Sequence, residues 1–507
     1  MKKWLSPRFQ RVLGILCLLL LQLAAFVVII SHFSNYFVYF YWFCLALSIF
    51  VSIWIAGGKA RLTYKMAWII PILTVPILGV PAYFLLGGAR RSKQEQRQRT
   101  REVLREQLTS AARPSDLREY GVDVVQQSQY LLNAGCCPPF SKTDTEYFPT
   151  GEDFHGALLE ELYHAERYIF LEYFIIAEGQ MWSEILSVLA QKAAQGVDVR
   201  VIYDAFGSVV TLPHSFPEDL EDLGISCVAF QPVRPVLSIH QNNRDHRKLC
   251  VIDGTVGFVG GINLADEYIN QIERFGYWKD SALLLRGEAV WSMTVMFLQM
   301  WASIRRSEVD YNKFRPRSYP PVSNNCGFVQ PYVDTPLADD TICADLHIQM
   351  FSKAKWYLYI TTPYLVIDET IASALYITAR SGVDVRIMVP HIPDKKMVFS
   401  VTQSHYELLL RAGARIYEFL PGFIHSKTVV ADDLYASVGS CNMDYRSFYL
   451  QHENGAWLCG SPAVTSIRED FLSALSHCKE ITLRDCVKAS LFTRLMRSLL
   501  RIFSPLL

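Results

Sequence analysis

The sequence predicts an α/β protein in which two similar sheet domains follow an apolar N-terminal region. Strand-like runs alternate with helical stretches through most of the 507 residues, which is typical of α/β sheets. Several of these runs occur twice at a nearly constant offset, which favours two halves related by pseudo-twofold symmetry. No charged residue lies between Arg11 and Lys59, which favours a membrane anchor ahead of the domains.

The first 90 residues are predicted to form this anchor, a region of membrane helices. The charge-free run is long enough for two spans of about 20 residues each, which we place near 12–31 and 37–56. A third apolar segment, 66–88, carries prolines at five-residue intervals. Because proline removes helix hydrogen bonds, we expect this segment to be a broken element packed against protein.

The charge distribution predicts the orientation of the chain. Residues 1–94 contain ten basic residues and no acidic one, which leaves 39 basic (49 − 10) against 49 acidic residues in the remainder. The basic clusters flank the apolar segments, and the positive-inside rule places such clusters in the cytoplasm. We therefore expect a multi-pass membrane protein with a cytoplasmic body. Because that body is acidic, we expect no nucleic-acid partner.

The body is predicted to be a tandem repeat. Gly196 begins the sequence GVDVR, which occurs again from Gly382, 186 residues later. A proline-rich stretch near residue 320 separates the two copies. In order, the expected parts are a basic juxtamembrane linker, two domains and a basic amphipathic C-terminal helix: 91–140, 141–320, 321–487 and 488–507.

A longer repeated motif carries the chemistry. The pattern H-x-K-x(4)-D-x(6)-G-[GS]-x-N runs from His246 to Asn263 and again, 179 residues later, from His425 to Asn442. In a strand, residues two apart share a face, so each histidine projects beside its lysine, whereas the aspartates lie at an odd offset and act as supports. The candidate catalytic set is His246, Lys248, Asp253, His425, Lys427 and Asp432.

Together the two motifs predict one phosphate-binding centre. Lysine supplies compact positive charge and asparagine supplies neutral donors, so the expected phosphate ligands are Lys248, Asn263, Lys427 and Asn442. One neutral histidine can attack phosphorus while the other, protonated, donates to the leaving alcohol. A carboxylate should fix the tautomer of each histidine, and Asp280 and Glu453 are the candidates. Because the lysines neutralise the phosphate, no metal or other cofactor is expected.

These motifs resemble those of the phospholipase D superfamily, and nearly the whole chain resembles bacterial cardiolipin synthases. Asn243 to Lys248 is similar to the family's first motif, Gly439 to Ser447 to its second, and segment 66–88 to its membrane region. The resemblance implies a protein of the bacterial plasma membrane that contains two tandem phospholipase D-like domains. It also implies that two phosphatidylglycerols are joined into cardiolipin, with release of glycerol, through a phosphohistidine. The implied partners are these two lipids and the bilayer.

The motif leaves three questions open. Water and other alcohols can attack the same intermediate, so a membrane-bound phospholipase D hydrolase, or a transferase with another acceptor, remains an alternative. The pattern does not decide which histidine is the nucleophile, although analogy with the superfamily favours His246. The oligomeric state is not encoded in any feature of the sequence that we recognise.

Overall fold

The computed structural model describes residues 36–58, 60–87, 94–108, 112–232, 243–323 and 326–506, together with residues 20, 22–24, 27 and 110. The chain forms two compact units, one built mainly of Met1–Arg90 and a larger one built of Arg91–Pro232 and Asn242–Pro505. Strands and helices alternate through the larger unit, so the predicted α/β class is confirmed.

Residues 36–87 of the N-terminal unit form three helices. They are α1 (Phe37–Gly57), α2 (Leu62–Thr74) and α3 (Pro76–Leu86). Apolar side chains from all three meet in one cluster, in which Val51 contacts neighbours such as Trp68 and Val80. Helix α2 ends at Thr74 because Pro76 disfavours helical geometry in the residue before it, Val75.

Among the described residues, α1 is the one helix long and apolar enough to cross a membrane. The span predicted near 12–31 lies almost entirely outside the described residues. The segment predicted at 66–88 forms the short helices α2 and α3, of 13 and 11 residues. At 1.5 Å per residue neither reaches across a hydrocarbon core of about 30 Å. The predicted multi-pass topology is therefore not supported by the described residues, which contain a single candidate span.

The larger unit carries the remaining elements. Its helices are α4 (Gln94–Gln107), α5 (Val122–Gly135), α6 (Gly151–Tyr163), α7 (Gln180–Ala194), α8 (Phe216–Asp222), α9 (Val290–Arg305), α10 (Ile342–Lys353), α11 (Glu369–Arg380), α12 (Lys396–Ala412), α13 (Tyr445–Tyr449), α14 (Pro462–Leu475), α15 (Leu483–Val487) and α16 (Leu491–Ile502).

Its strands are β1 (Thr143–Phe148), β2 (Tyr168–Tyr173), β3 (Asp198–Asp204), β4 (Ser226–Phe230), β5 (Arg244–Asp245), β6 (Lys248–Ile252), β7 (Val256–Gly260), β8 (Tyr277–Lys279), β9 (Ala282–Gly287), β10 (Phe328–Asp334), β11 (Tyr357–Thr361), β12 (Leu365–Val366), β13 (Asp384–Pro390), β14 (Arg415–Phe419), β15 (Gly422–Ile424), β16 (Thr428–Ala431), β17 (Tyr435–Gly439), β18 (Met443–Asp444), β19 (Gln451–Cys459) and β20 (Cys478–Ile481).

The two main sheets have the same strand order. The first runs β1-β9-β7-β6-β2-β3-β4, and the second runs β10-β19-β17-β16-β11-β13-β14-β20. In both, three neighbouring strands are parallel, β2-β3-β4 in one and β11-β13-β14 in the other. Position by position, seven strands of the first sheet therefore match seven of the second. The repeat in the sequence therefore corresponds to two sheets with matching strand order.

Each half also lends a short strand to the other half. Strand β5 pairs in parallel with β19 of the second sheet, and β15 pairs in parallel with β8 of the first half. Each lent strand ends just before a motif histidine, since β5 ends at Asp245 and β15 ends at Ile424. The exchange therefore brings the two motifs toward the junction of the halves.

The core of the larger unit is shared between the two sheets. One cluster contains Phe170 and Val259 from the first sheet together with Val329 and Val430 from the second. Residues 91–140, predicted to be a linker, contain helix α5, whose residues Val124 and Leu131 are fully buried in another cluster of this core.

Candidate active site

The backbone at each motif histidine is fixed by the opposite half. The amide of His246 donates to the carbonyl of His452 at 2.9 Å, and the amide of His425 donates to the carbonyl of Lys279 at 2.6 Å. These bonds continue the pairing of the two lent strands by one residue. The exchange of strands β5 and β15 between the halves therefore fixes the position and direction of both imidazole rings.

The side chains are paired across the halves in the same manner. His246 Nδ1 lies 3.0 Å from Oε1 of Glu453, and His425 Nδ1 lies 2.6 Å from Oδ2 of Asp280. All four side chains are buried, the two carboxylates completely. A carboxylate accepts the Nδ1 proton, which leaves Nε2 of each ring with a lone pair for attack or proton transfer.

The two lysines complete one charged cluster. The ammonium of Lys248 donates to the carbonyl of His246 at 2.6 Å. The ammonium of Lys427 donates to the carbonyl of His425 and lies 2.8 Å from Nδ1 of that ring. Both lysine side chains are buried, so their charge acts in a medium that screens it weakly.

The surroundings of both motif histidines favour the neutral imidazole. Burial, followed by the charges of Lys248 and Lys427, holds the pKa of His246 well below its usual value. Burial and the same two lysines lower the pKa of His425 well below the usual value. A neutral imidazole is the form that can attack phosphorus, so this environment favours a nucleophile.

Burial also shifts the pKa values of the other charged groups toward neutral pH. It lowers the pKa of Lys248 to about 7 and that of Lys427 to about 8. It raises the pKa of Asp280 to about 7, against the opposing effect of Lys427, and that of Glu453 to about 7, against the opposing effect of Lys248. Such opposed displacements of acids and bases in one cluster are typical of active sites.

The motif aspartates lie outside this centre. Asp253, at the turn after β6, accepts hydrogen bonds from the backbone amides of Glu166, Arg167 and Tyr168, each at 2.8 Å. Asp432 holds the equivalent turn of the second half in the same way, through three amides that begin at Lys355. Their carboxylates therefore fix the strands and are satisfied by backbone donors, so we propose a structural role for both.

The two motif asparagines are not equivalent. Asn263 accepts from the amide of Ile175 at 3.1 Å and donates to the hydroxyl of Tyr268 at 2.6 Å, so both ends of its amide are engaged. The side-chain oxygen of Asn442 is buried and has no hydrogen-bond partner among the described residues. Because amide oxygen and nitrogen are assigned from such contacts, Asn442 can turn its donor outward toward a ligand.

The motif position written [GS] is Gly261 in the first half and Ser440 in the second. The reason for a small residue there differs between the two halves. A Cβ atom at Gly261 would lie 2.3 Å from Oδ1 of Asp280, so the close approach of that carboxylate requires glycine. The equivalent Ser440 donates from its hydroxyl to Glu453. The pattern identified this position as part of the motif, but only the contacts reveal that it serves the carboxylates.

Asn454 and the aromatic rings beside the histidines, Phe174 and Trp278, were not predicted from the motif spacing. Asn454 Oδ1 accepts from the amide of Lys248 and its Nδ2 donates to the carbonyl of Lys248, both at 3.2 Å. The ring of Phe174 lies 4.9 Å from that of His246, and the ring of Trp278 lies 5.4 Å from that of His425. The direct adjacency of Asn454 to Glu453 is the one signal in the sequence that could have pointed to it.

Two family profiles match the chain. The profile described as "Cardiolipin synthase, PLD-like domain" matches residues 158–301 and 347–475. The profile described as "Phospholipase_D-nuclease N-terminal" matches residues 46–88. The first profile therefore covers both halves of the body, and each matched segment contains one complete H-x-K motif.

Individual relatives are similar over most of their length. An uncharacterized protein of Streptococcus mutans is 41% identical over 451 residues, which cover 87% of this chain and 96% of that protein. A cardiolipin synthase of Alkalihalophilus pseudofirmus is 35% identical over 466 residues, or 90% of this chain and 92% of that one. The crystal structure of a phosphatidylserine synthase from Haemophilus influenzae covers 75% of this chain and 97% of its own, with a TM-score of 0.57 and 16% identity, which indicates a shared fold.

Proposed function

We propose a function for this chain from one premise: the chain belongs to the cardiolipin synthase family of the phospholipase D superfamily. It transfers a phosphatidyl group from one phosphatidylglycerol to the hydroxyl of a second, giving cardiolipin and glycerol. The observation that carries this proposal is the cross-paired cluster in which His246 with Glu453 and His425 with Asp280 surround two buried lysines.

The first step forms a covalent intermediate. Nε2 of His246 attacks the phosphorus of the donor lipid, a P–N bond forms, and the P–O bond to glycerol breaks. The second histidine, His425, donates its Nε2 proton to the leaving glycerol oxygen. A bound phosphate anion raises the pKa of the nearby histidines, which allows one of them to carry this proton.

The second step reverses these roles. Neutral His425 removes the proton from the hydroxyl of the acceptor lipid, whose oxygen attacks phosphorus as the P–N bond breaks. Lys248 and Lys427 neutralise the phosphoryl oxygens in both steps, and Asn442 offers an amide to them. Each histidine keeps its reacting nitrogen toward phosphorus because Nδ1 is held by a carboxylate.

The membrane is the proposed location of the reaction. Helix α1 is the candidate span, and the basic residues that follow the apolar region support a body on the cytoplasmic face of the bacterial plasma membrane. Cysteines introduced into the body should be labelled by a membrane-impermeant reagent only after the cells are opened. Labelling in intact cells would contradict this orientation.

The C-terminal helix supports a second contact with lipid. Its arginines attach α16 to α12, since Arg494 lies 3.5 Å from Glu407 and Arg497 donates to Gln403. Leu491 and Leu495 of the same helix are 82% and 66% exposed. A helix held by its polar side and apolar on the outside is suited to lie at a membrane surface.

The decisive experiment supplies the purified full-length protein with phosphatidylglycerol alone. We expect cardiolipin and glycerol in equal amounts, and we expect a metal chelator to leave the rate unchanged. Phosphatidic acid as the main product would identify a hydrolase. Formation of the phosphatidyl ester of an added alcohol, without cardiolipin, would identify another transferase.

A further inference from the structure

The two halves differ in the loops that follow β3 and β13. These strands hold the same place in the two sheets, so the loops after them are equivalent. The loop after β3, residues 205–215, contains no Lys, Arg, Asp or Glu, and its Phe206 and Val210 are 54% and 63% exposed. The loop after β13 instead ends in Asp394 and Lys395. The loop of the first half is therefore apolar, whereas the equivalent loop of the second half carries charge.

Lys395 lies at the edge of the catalytic cluster. Its ammonium is 5.2 Å from the ring centre of Tyr364, and the Tyr364 hydroxyl donates to Asp394 at 2.5 Å. The ring of Tyr364 contacts that of Phe423 at 6.4 Å, and Phe423 contacts the ring of His425 at 5.7 Å. Two aromatic side chains thus connect Lys395 to a catalytic imidazole.

The ammonium of Lys395 remains available to a ligand. Its side chain is 64% exposed, and the ion pair that it makes with Asp394 is long at 3.9 Å. After burial and the two buried lysines, its positive charge also contributes to lowering the pKa of His246 and of His425. An anion bound at Lys395 would lie beside Tyr364, outside the buried lysine pair.

The local helix also favours an anion at this place. Lys395 caps the 17-residue helix α12, Lys396 is its first residue, and the first turn contains no acidic residue. A helix N-terminus carries partial positive charge, so two lysines there repel it at a cost in stability. A bound phosphate would offset that repulsion by interacting with the helix end and with the lysine.

The proposed reaction requires such a second anion site. Both substrates are phosphodiesters, and the donor phosphate occupies the cluster of Lys248 and Lys427. The acceptor lipid brings its own phosphate, which is joined to the attacking hydroxyl by the glycerol group. We propose that Lys395 binds the phosphate of the acceptor phosphatidylglycerol, an inference that rests on the proposed function.

The test compares two acceptors that differ in this phosphate. Cardiolipin formation uses phosphatidylglycerol as acceptor, whereas exchange of labelled glycerol into phosphatidylglycerol uses a neutral one. For Lys395→Ala we expect cardiolipin formation to fall about tenfold relative to glycerol exchange, as expected for loss of one charge-assisted hydrogen bond. Lys395→Arg should restore most of the ratio, because it keeps the charge.

A matched control is Lys355→Ala, since Lys355 is 62% exposed and also lies beside an aspartate, Asp123. We expect this variant to keep the wild-type ratio. An unchanged ratio in Lys395→Ala, or an equal fall in both variants, would overturn the acceptor site. Failure of the wild-type protein to make any cardiolipin would instead refute the proposed function, so the two failures are distinguishable.

Discussion

Nδ1 of His246 lies 3.0 Å from Oε1 of Glu453, a residue 207 positions later in the chain and in the opposite half of the body. The reciprocal pair, His425 and Asp280, spans 145 positions in the other direction. Neither half therefore contains a complete catalytic unit. The two halves must fold against each other before either histidine has its carboxylate.

The first prediction concerns these carboxylates. Glu453→Gln and Asp280→Asn keep the shape of the side chain but can hold the wrong imidazole tautomer, so we expect kcat for cardiolipin synthesis to fall about 10³-fold. Glu184→Gln is the control, because Glu184 also bonds a histidine, His155, at 2.7 Å on the neighbouring helices α6 and α7. Turnover of the two site variants within a factor of ten of wild type would argue against cross-pairing in catalysis.

A second prediction assigns the nucleophile. A lipid with a nitrophenyl leaving group needs no proton from a general acid, so His425→Ala should still form a phosphatidyl-enzyme on His246 and then release it slowly. His246→Ala should form none. Mass spectrometry of the trapped protein would detect the adduct. An adduct on residue 425 in the His246→Ala variant would reverse the proposed roles.

The lowered pKa values of the two lysines predict that substrate capture weakens at alkaline pH. The pKa of Lys248 is lowered to about 7 and that of Lys427 to about 8, and each loses its positive charge as the pH rises through its pKa. We therefore expect kcat/KM, which reports the free enzyme, to fall above about pH 7 to 8. Bound phosphate stabilises the ammonium form, so the fall in kcat should begin at higher pH. A kcat/KM that stays constant to pH 10 would contradict this charge assignment.

Asp253 should matter for stability and leave chemistry intact. Asp253→Ala removes the acceptor for three backbone amides, for which we expect a loss of about 2 kcal/mol in the free energy of unfolding. Asp253→Asn should lose less, because asparagine keeps one oxygen and tolerates the φ of 54° at this turn. Thermal unfolding measures the difference. A large fall in kcat of the folded Asp253→Asn protein would restore this residue to the catalytic set.

The exposed apolar side of α16 predicts that this helix binds the membrane surface. Replacing Leu495 and Leu499 by Ser should weaken vesicle binding and slow turnover of vesicle lipid, with little effect on short-chain substrate in detergent. Ile377→Ser, at an apolar position of α11 that is 62% exposed, serves as the control. Equal activity of all variants on vesicles would show that the helix does not contact lipid.

The sequence determined the fold class and the reacting groups. Alternating strand and helix patterns and the repeated GVDVR predicted two like domains, because such periodicity is set by neighbouring residues. The duplicated motif identified both histidines and both lysines, since residues two apart in a strand share a face. It did not determine the number of membrane spans, because hydropathy gives only the length of an apolar run, and of the two predicted spans only that near 37–56 is a described helix long enough to cross a bilayer.

Tertiary structure decided which partner each reacting group has. The lent strands β5 and β15 cross between the halves, so Glu453 serves His246 and Asp280 serves His425. It also made Asn442 different from Asn263 and connected Lys395 to His425 through the rings of Tyr364 and Phe423. Contacts of this kind join residues far apart in the chain, and no local spacing encodes them because they depend on how two separately patterned sheets pack.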